Sequence, residues 1–321
     1  MIYKDNQSNI LKKILISVFI LIMALAIVGC DGNGNGRKQG EVTNYRVGTQ
    51  GLEMRFLSNA PSSIVYAEDE SFPVSIEVVN RGVYPGENDG SISADIHFVG
   101  FDKDIIGNLD VESIEFDEEE SKTRYNPEGG YNIMSVDADV DFSLFEDSKI
   151  DTYDAKLMAV ICYPYKTFLA EEVCIDPNPN RNIRDNTCTP GTTGSGSQGA
   201  PIAITSVESI SQRGKSRFII TLSNVGGGNV IRTNAIDACV DSDLEYSDFD
   251  KIEIIDAQLS NGISLDCTPQ DDITLVNGYA TIVCKADGLD ETMPAFKTLL
   301  QMELDYGYKK SISKTIQIRG N

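Results

Sequence analysis

The chain has 321 residues, 41% of them apolar, enough for two domains with separate cores, and this composition excludes a disordered or fibrous protein. Its formal charge of −22 repels phosphates and anionic headgroups, which excludes nucleic acid as a partner.

The first elements are topogenic. Lys4, Lys12 and Lys13 outweigh Asp5, an uncharged run extends from Ile14 to Gly29, and Cys30 follows. A positive start, an apolar middle and a small-residue end make an export signal over residues 1–29. The ending Ile27-Val28-Gly29-Cys30 resembles the prokaryotic lipobox, which implies cleavage before Cys30 and lipid on its sulfur. Two acyl chains give stable anchoring where one does not. The same run, about 17 residues, also stands at the lower limit for an uncleaved transmembrane helix. Either reading puts the remainder outside the cytoplasm, at the cell surface or in the periplasm, with the membrane as a partner. Residues 30–50 are expected to be a flexible tether; the DGNGNGRKQG stretch alone spans roughly 15–20 Å as a coil.

From about residue 50 the pattern is strand-like. SFPVSIEVVN (71–80) and SRFIITLSN (216–224) alternate, are rich in β-branched residues, and end in Asn80-Arg81-Gly82 and Asn224-Val225-Gly226. LMAVICYPYK (157–166) matches LQMELDYGYK (300–309) through a shared Tyr-x-Tyr-Lys. Asn80 to Tyr163 is 83 residues and Asn224 to Tyr306 is 82, so two landmarks recur in order at one spacing. The expected fold is all-β: two tandem immunoglobulin-like sandwiches, 51–177 and 201–321, joined by a Gly/Ser/Pro-rich linker, 178–200. Asn80 should then occupy the place of Asn224, and Tyr163 that of Tyr306. The Asn-x-Gly steps read as strand ends, because Asn bonds nearby backbone and Gly admits positive φ.

A strand ending in Asn-x-Gly early in an exported immunoglobulin-like module resembles the CARDB-type domains, the cell-adhesion-related domains of bacteria and archaea. The resemblance runs through Ile76–Gly82, Ile220–Gly226 and the late Tyr-x-Tyr strands. It implies adhesion, scaffolding or substrate presentation, with other surface proteins or glycans as partners, and no catalytic residue. The chain departs from antibody-type domains in having no Trp.

Besides Cys30 there are Cys162, Cys174, Cys188, Cys239, Cys267 and Cys284, an even set expected to form disulfides outside the cell. A hairpin turning at 166–170 would set Cys162 opposite Cys174. Cys267–Cys284 and Cys188–Cys239 are the favoured remaining pairs. No cysteines stand in a C-x-x-C pair and His97 is the one histidine, so no zinc site is expected. In ISADIHFVGF (92–101) His97 reads as an exposed strand residue.

Catalytic signatures are missing: no nucleophile elbow, P-loop or dinucleotide fingerprint occurs. An EF-hand beginning at Asp241, Asp243 and Glu245 fails, with Tyr246 where Gly is needed and Ile252 where Glu is needed. Asp241, Asp243, Asp248 and Asp250 remain candidates for a looser calcium site. The chain is therefore read as a non-enzymatic adhesion, scaffold or binding lipoprotein. The alternatives are a solute-capturing or membrane-complex accessory protein and, behind it, an acid-based hydrolase.

The long tyrosine strands carry one further expectation. Period two puts Leu157, Ala159, Ile161 and Tyr163 in the core, as it does Leu300, Met302, Leu304 and Tyr306. The opposite face holds Gln301, Glu303 and Asp305 in the second copy but Met158, Val160 and Cys162 in the first. A strand apolar on both faces is normally covered on both. The cover is expected from residues 175–200, the second module or a partner, or from a neighbouring strand of the first module.

Overall fold

The computed structural model describes residues 44–320, apart from 88, 142, 144, 146–150, 182–185 and 241–243. The export segment, Cys30, Asp241 and Asp243 lie outside the described residues. The fold is all-β, and residues 44–321 form one compact unit.

The first half contributes β1 (Leu52–Phe56), β2 (Ile64–Tyr66), β3 (Ser71–Asn80), β4 (Ser91–Val99), β5 (Ile106–Gly107), β6 (Glu112–Asp117), β7 (Tyr131–Val140) and β8 (Thr152–Ile175). The second contributes β9 (Thr192–Gly194), β10 (Ile202–Gln212), β11 (Lys215–Asn224), β12 (Asn229–Ile231), β13 (Lys251–Leu259), β14 (Asp266–Thr268), β15 (Ile273–Thr274), β16 (Tyr279–Asp287) and β17 (Phe296–Arg319). One smaller sheet is ordered β1-β3-β7-β5 and another β14-β16-β11-β10-β9. Between the halves runs a third sheet, β15-β13-β17-β8-β4-β6, with β12 and β2 also pairing to β17.

The expected hairpin at 166–170 does not form. β8 runs straight for 24 residues and pairs antiparallel with β17 along its whole length. Lys166-Thr-Phe-Leu-Ala170 holds no Gly, Pro or Asn to turn the chain, whereas Thr167 and Phe168 favour an extended backbone. Each half therefore receives its last strand from the other. The end of β17, Lys310–Arg319, lies beside the start of β8, and the end of β8 beside the start of β17. At the centre Pro164 faces Gly307, flanked by the pairs Tyr163–Tyr308 and Tyr165–Tyr306.

Disulfide pairing follows this topology and corrects two expected bridges. Cys162 joins Cys239, not Cys174, and Cys188 joins Cys174, not Cys239. Without the hairpin, Cys162 lies opposite Lys309 and Cys174 opposite Lys297, so the two cysteines never meet. Cys267–Cys284 forms as expected, between directly paired residues of β14 and β16. The segment read as a linker also takes part in the fold. Thr192–Gly194 pairs with β10, Gln198 is buried, and the Gly199 carbonyl accepts a hydrogen bond from Val83 N–H.

The two Asn-x-Gly steps hold matching bonds. Asn80 Nδ2 donates to Tyr84 O at 2.9 Å and its Oδ1 accepts from Gly82 N–H at 3.1 Å. Asn224 Nδ2 donates to Gly228 O at 2.9 Å and its Oδ1 accepts from Gly226 N–H at 3.3 Å. Asn80 pairs with Leu52 at the end of β3, and Asn224 with Ile202 at the end of β11.

Gly82 is needed for space. A Cβ there would overlap Tyr165 Oη and stand 2.8 Å from the carbonyls of Gln50 and Gly199. Gly82→Ala is expected to destabilise the fold by roughly 1–3 kcal/mol, since the crowding atoms are buried and two are backbone. Gly107→Ala, where a Cβ meets nothing within 4 Å, should change stability by less than about 0.5 kcal/mol. Urea unfolding compares the two, and equal effects would show that Gly82 is not confined.

Candidate functional site

Two features stand where the halves meet, one on each face of the β8–β17 ribbon. On the inner face Tyr163, Tyr165, Tyr306 and Tyr308 form a closed ring of aromatic contacts. Centroids are 5.8 Å apart for Tyr163–Tyr165, 5.9 Å for Tyr163–Tyr308, 6.2 Å for Tyr165–Tyr306 and 6.4 Å for Tyr306–Tyr308. Tyr84 adds an edge-on contact to Tyr165 at 5.4 Å. All four ring members are buried. Alternation along β8 and β17 turns them to one side, and the antiparallel register brings them together.

Two of their hydroxyls are tied to the smaller sheets and two to the loops that follow the Asn-x-Gly steps. Tyr163 Oη accepts from Leu52 N–H at 3.1 Å, and Tyr306 Oη from Ile202 N–H at 3.3 Å. Tyr165 Oη accepts from Tyr84 N–H at 3.4 Å, and Tyr308 Oη from Gly228 N–H at 2.8 Å. Thr167 shares a 2.9 Å bond with Tyr306 Oη and donates to Ile202 O. Burial pushes all four phenols up, Tyr308 to about 12, because the phenolate would lose its water.

On the outer face Val160 and Cys162 are buried together with Ile231 and Cys239, and Met158, Val99, Ile236 and Phe249 pack against them. The expected cover is thus supplied by the second half, through Ile231, the 3-10 segment Thr233–Ala238, Cys239 and Phe249. Gly307 makes room for it: a Cβ there would stand 2.8 Å from side-chain carbons of Ile231 and Ile236. Thr233 Oγ1 donates to Asp305 Oδ2 at 2.6 Å, and Lys309 Nζ bonds the Cys239 carbonyl. The Cys162–Cys239 bond fixes the segment to β8.

His97 differs from its sequence reading. It lies directly opposite Val160 on the neighbouring strand, beneath this cover, and is half-buried with its Nε2 fully buried. The position of a segment more than 130 residues downstream decides its burial, and the local pattern carries no sign of that.

Of the described calcium candidates, Asp248 is engaged by its neighbours. Asp248 Oδ2 accepts from Glu245 N–H at 3.0 Å, and its Oδ1 faces Arg232 at 3.9 Å. Asp250 sits at a left-handed φ of 59°, its carboxyl raised above the usual range by burial. Asp241 and Asp243 lie outside the described residues. Among the described residues, the side chains close enough to hold a metal together are His97, Cys162 and Cys239.

No family model matches the chain, and no curated protein does. Similar solved structures include the C-terminal domain of the Streptococcus agalactiae AgI/II polypeptide BspA, at 6% identity and a TM-score of 0.18, over 84% of this chain and 99% of that one. A second, described as the wild-type BspA C-terminal segment, gives 6% identity and a TM-score of 0.17 over 83% and 99%. Likeness at that level carries no argument. The three disulfides do: they belong to an oxidising, extracytoplasmic compartment.

Proposed function

We propose that this chain is a membrane-tethered surface lipoprotein that acts without catalysis, as an adhesion, scaffold or binding module. The observation that carries this reading is the run from Lys4 through the apolar segment to Ile27-Val28-Gly29-Cys30. In this reading Cys30 is lipidated, residues 30–50 are the tether, and 51–177 and 201–321 are two CARDB-like, immunoglobulin-like modules. The matching bonds at Asn80 and Asn224 and the paired tyrosines support two copies of one plan. Exchanging their final strands makes the modules one stiff body, suited to presenting a surface at a fixed distance from the membrane. Other surface proteins or glycans are its partners.

Mass spectrometry of the protein purified from membranes tests the anchor. The expected N-terminal peptide begins at Cys30 and carries lipid. An intact 1–29 segment on the membrane-bound form would overturn lipidation. Cross-linking on intact cells tests the partner class, with exported proteins or glycans as the expected adducts.

A further inference from the structure

We propose that His97, Cys162 and Cys239 form a redox-gated site for a zinc-class cation, closed while the cysteines are bridged and competent once they are reduced.

The geometry is that of a ligand set drawn from three separate elements. One ring nitrogen of His97 and the two sulfurs lie within 4.8 Å of one another. His97 is on β4 and Cys162 on β8; because His97 faces Val160, it is the diagonal neighbour of Cys162 on the same face of the sheet. Cys239 caps the 3-10 segment above them. Both cysteines are fully buried and His97 is half-buried, so bulk water is largely kept from the ligand atoms.

Two thiolates and an imidazole are the donors that zinc takes in sites with one open position. Zinc–sulfur bonds of about 2.3 Å at a tetrahedral angle hold two sulfurs about 3.8 Å apart. Reaching that spacing from the bridged state takes a small outward shift of Cys239, which ends a single short segment, while β4 and β8 stay in their sheet. Lys309 lies opposite Cys162 and bonds the Cys239 carbonyl, which ties Cys239 to β17 as well as to β8.

The chemistry balances with a dithiol as reductant. Its thiolate attacks one sulfur of the Cys162–Cys239 bond, and its second thiol resolves the mixed disulfide. The protein bond takes up two electrons and two protons and leaves two thiols, while the dithiol departs as a disulfide. The cation then binds the two sulfurs and the neutral imidazole, displacing two thiol protons. Metal replaces the S–S bond as the link between the cover and β8, so the outer face stays closed in both states.

The test uses the mature protein with Co2+ as a spectroscopic stand-in for zinc. The bridged protein should bind none. After mild phosphine reduction it should bind one equivalent and show thiolate-to-cobalt charge transfer. The Cys162→Ser/Cys239→Ser protein should lose that signal although Cys30 and the four cysteines of the other two bridges remain, and His97→Ala should weaken binding by at least about 10-fold. Equal binding by the bridged protein, or by either variant, would overturn the proposal. So would loss of the β-sheet circular dichroism on reduction, because the folded dithiol state would then not exist.

Discussion

Raising the pH past 10 should unfold the protein in one steep step. An unfolded tyrosine ionises near pH 10, whereas burial holds Tyr163, Tyr165, Tyr306 and Tyr308 protonated above that, Tyr308 to about 12. Between those values the unfolded chain has released protons that the native state still binds, so stability falls as pH rises. The contribution is complete below pH 10 and is lost progressively above it. Each phenol adds about 1.4 kcal/mol per pH unit to the slope, so four together approach about 5 kcal/mol per unit. One such unit is comparable with the whole stability of an ordinary domain. The tyrosinate absorbance of the four ring phenols should appear together with loss of sheet signal. Tyr306→Phe should reduce the steepness by about a quarter of the tyrosine share. If all tyrosines titrate near pH 10 while the fold persists, the ring is open to water and its assigned role is wrong.

The second large effect concerns the bridge over the outer face. Cys162 and Cys239 are 77 residues apart, against 14 for Cys174–Cys188 and 17 for Cys267–Cys284. Loop-closure entropy assigns the longest loop about 4.5 kcal/mol and the shorter two about 3 kcal/mol each. Cys162→Ala/Cys239→Ala should therefore lower stability most of the three bridge deletions. The loss has a local signature as well. Residues 230–240 are held to β8 by that bond, by Ile231 and Ile236 over Gly307, and by Thr233 on Asp305. Amide exchange should quicken in this segment well before it does in β3 or β7. Equal exchange across the protein would mean that the cover does not depend on the bridge.

Much of the fold was written locally. Alternation marked β3, β11 and the core faces of β8 and β17, because side-chain period is a property of the strand itself. The Asn-x-Gly steps were legible as strand ends for the same kind of reason: an Asn amide reaches only backbone a few residues away, here Tyr84 and Gly228. Met158 and Val160 announced a buried outer face, since an apolar residue facing water is a cost the pattern exposes. Cys267–Cys284 was expected because both cysteines lie within the second module.

What the sequence left open were choices between local and distant partners of similar strength. A five-residue segment at 166–170 can turn back or run on. It runs on because β17 offers hydrogen bonds along all of β8, where a return strand would offer half as many. That decision re-paired Cys162 and Cys174, placed Ile231 and Cys239 over Val160, and half-buried His97. The sequence by itself determined which residues must leave water and where each strand ends. Only the tertiary structure decided which half supplies each missing strand, and with it which side chains meet around Cys162. Pairing energy depends on partners far apart in the chain, which no local pattern encodes.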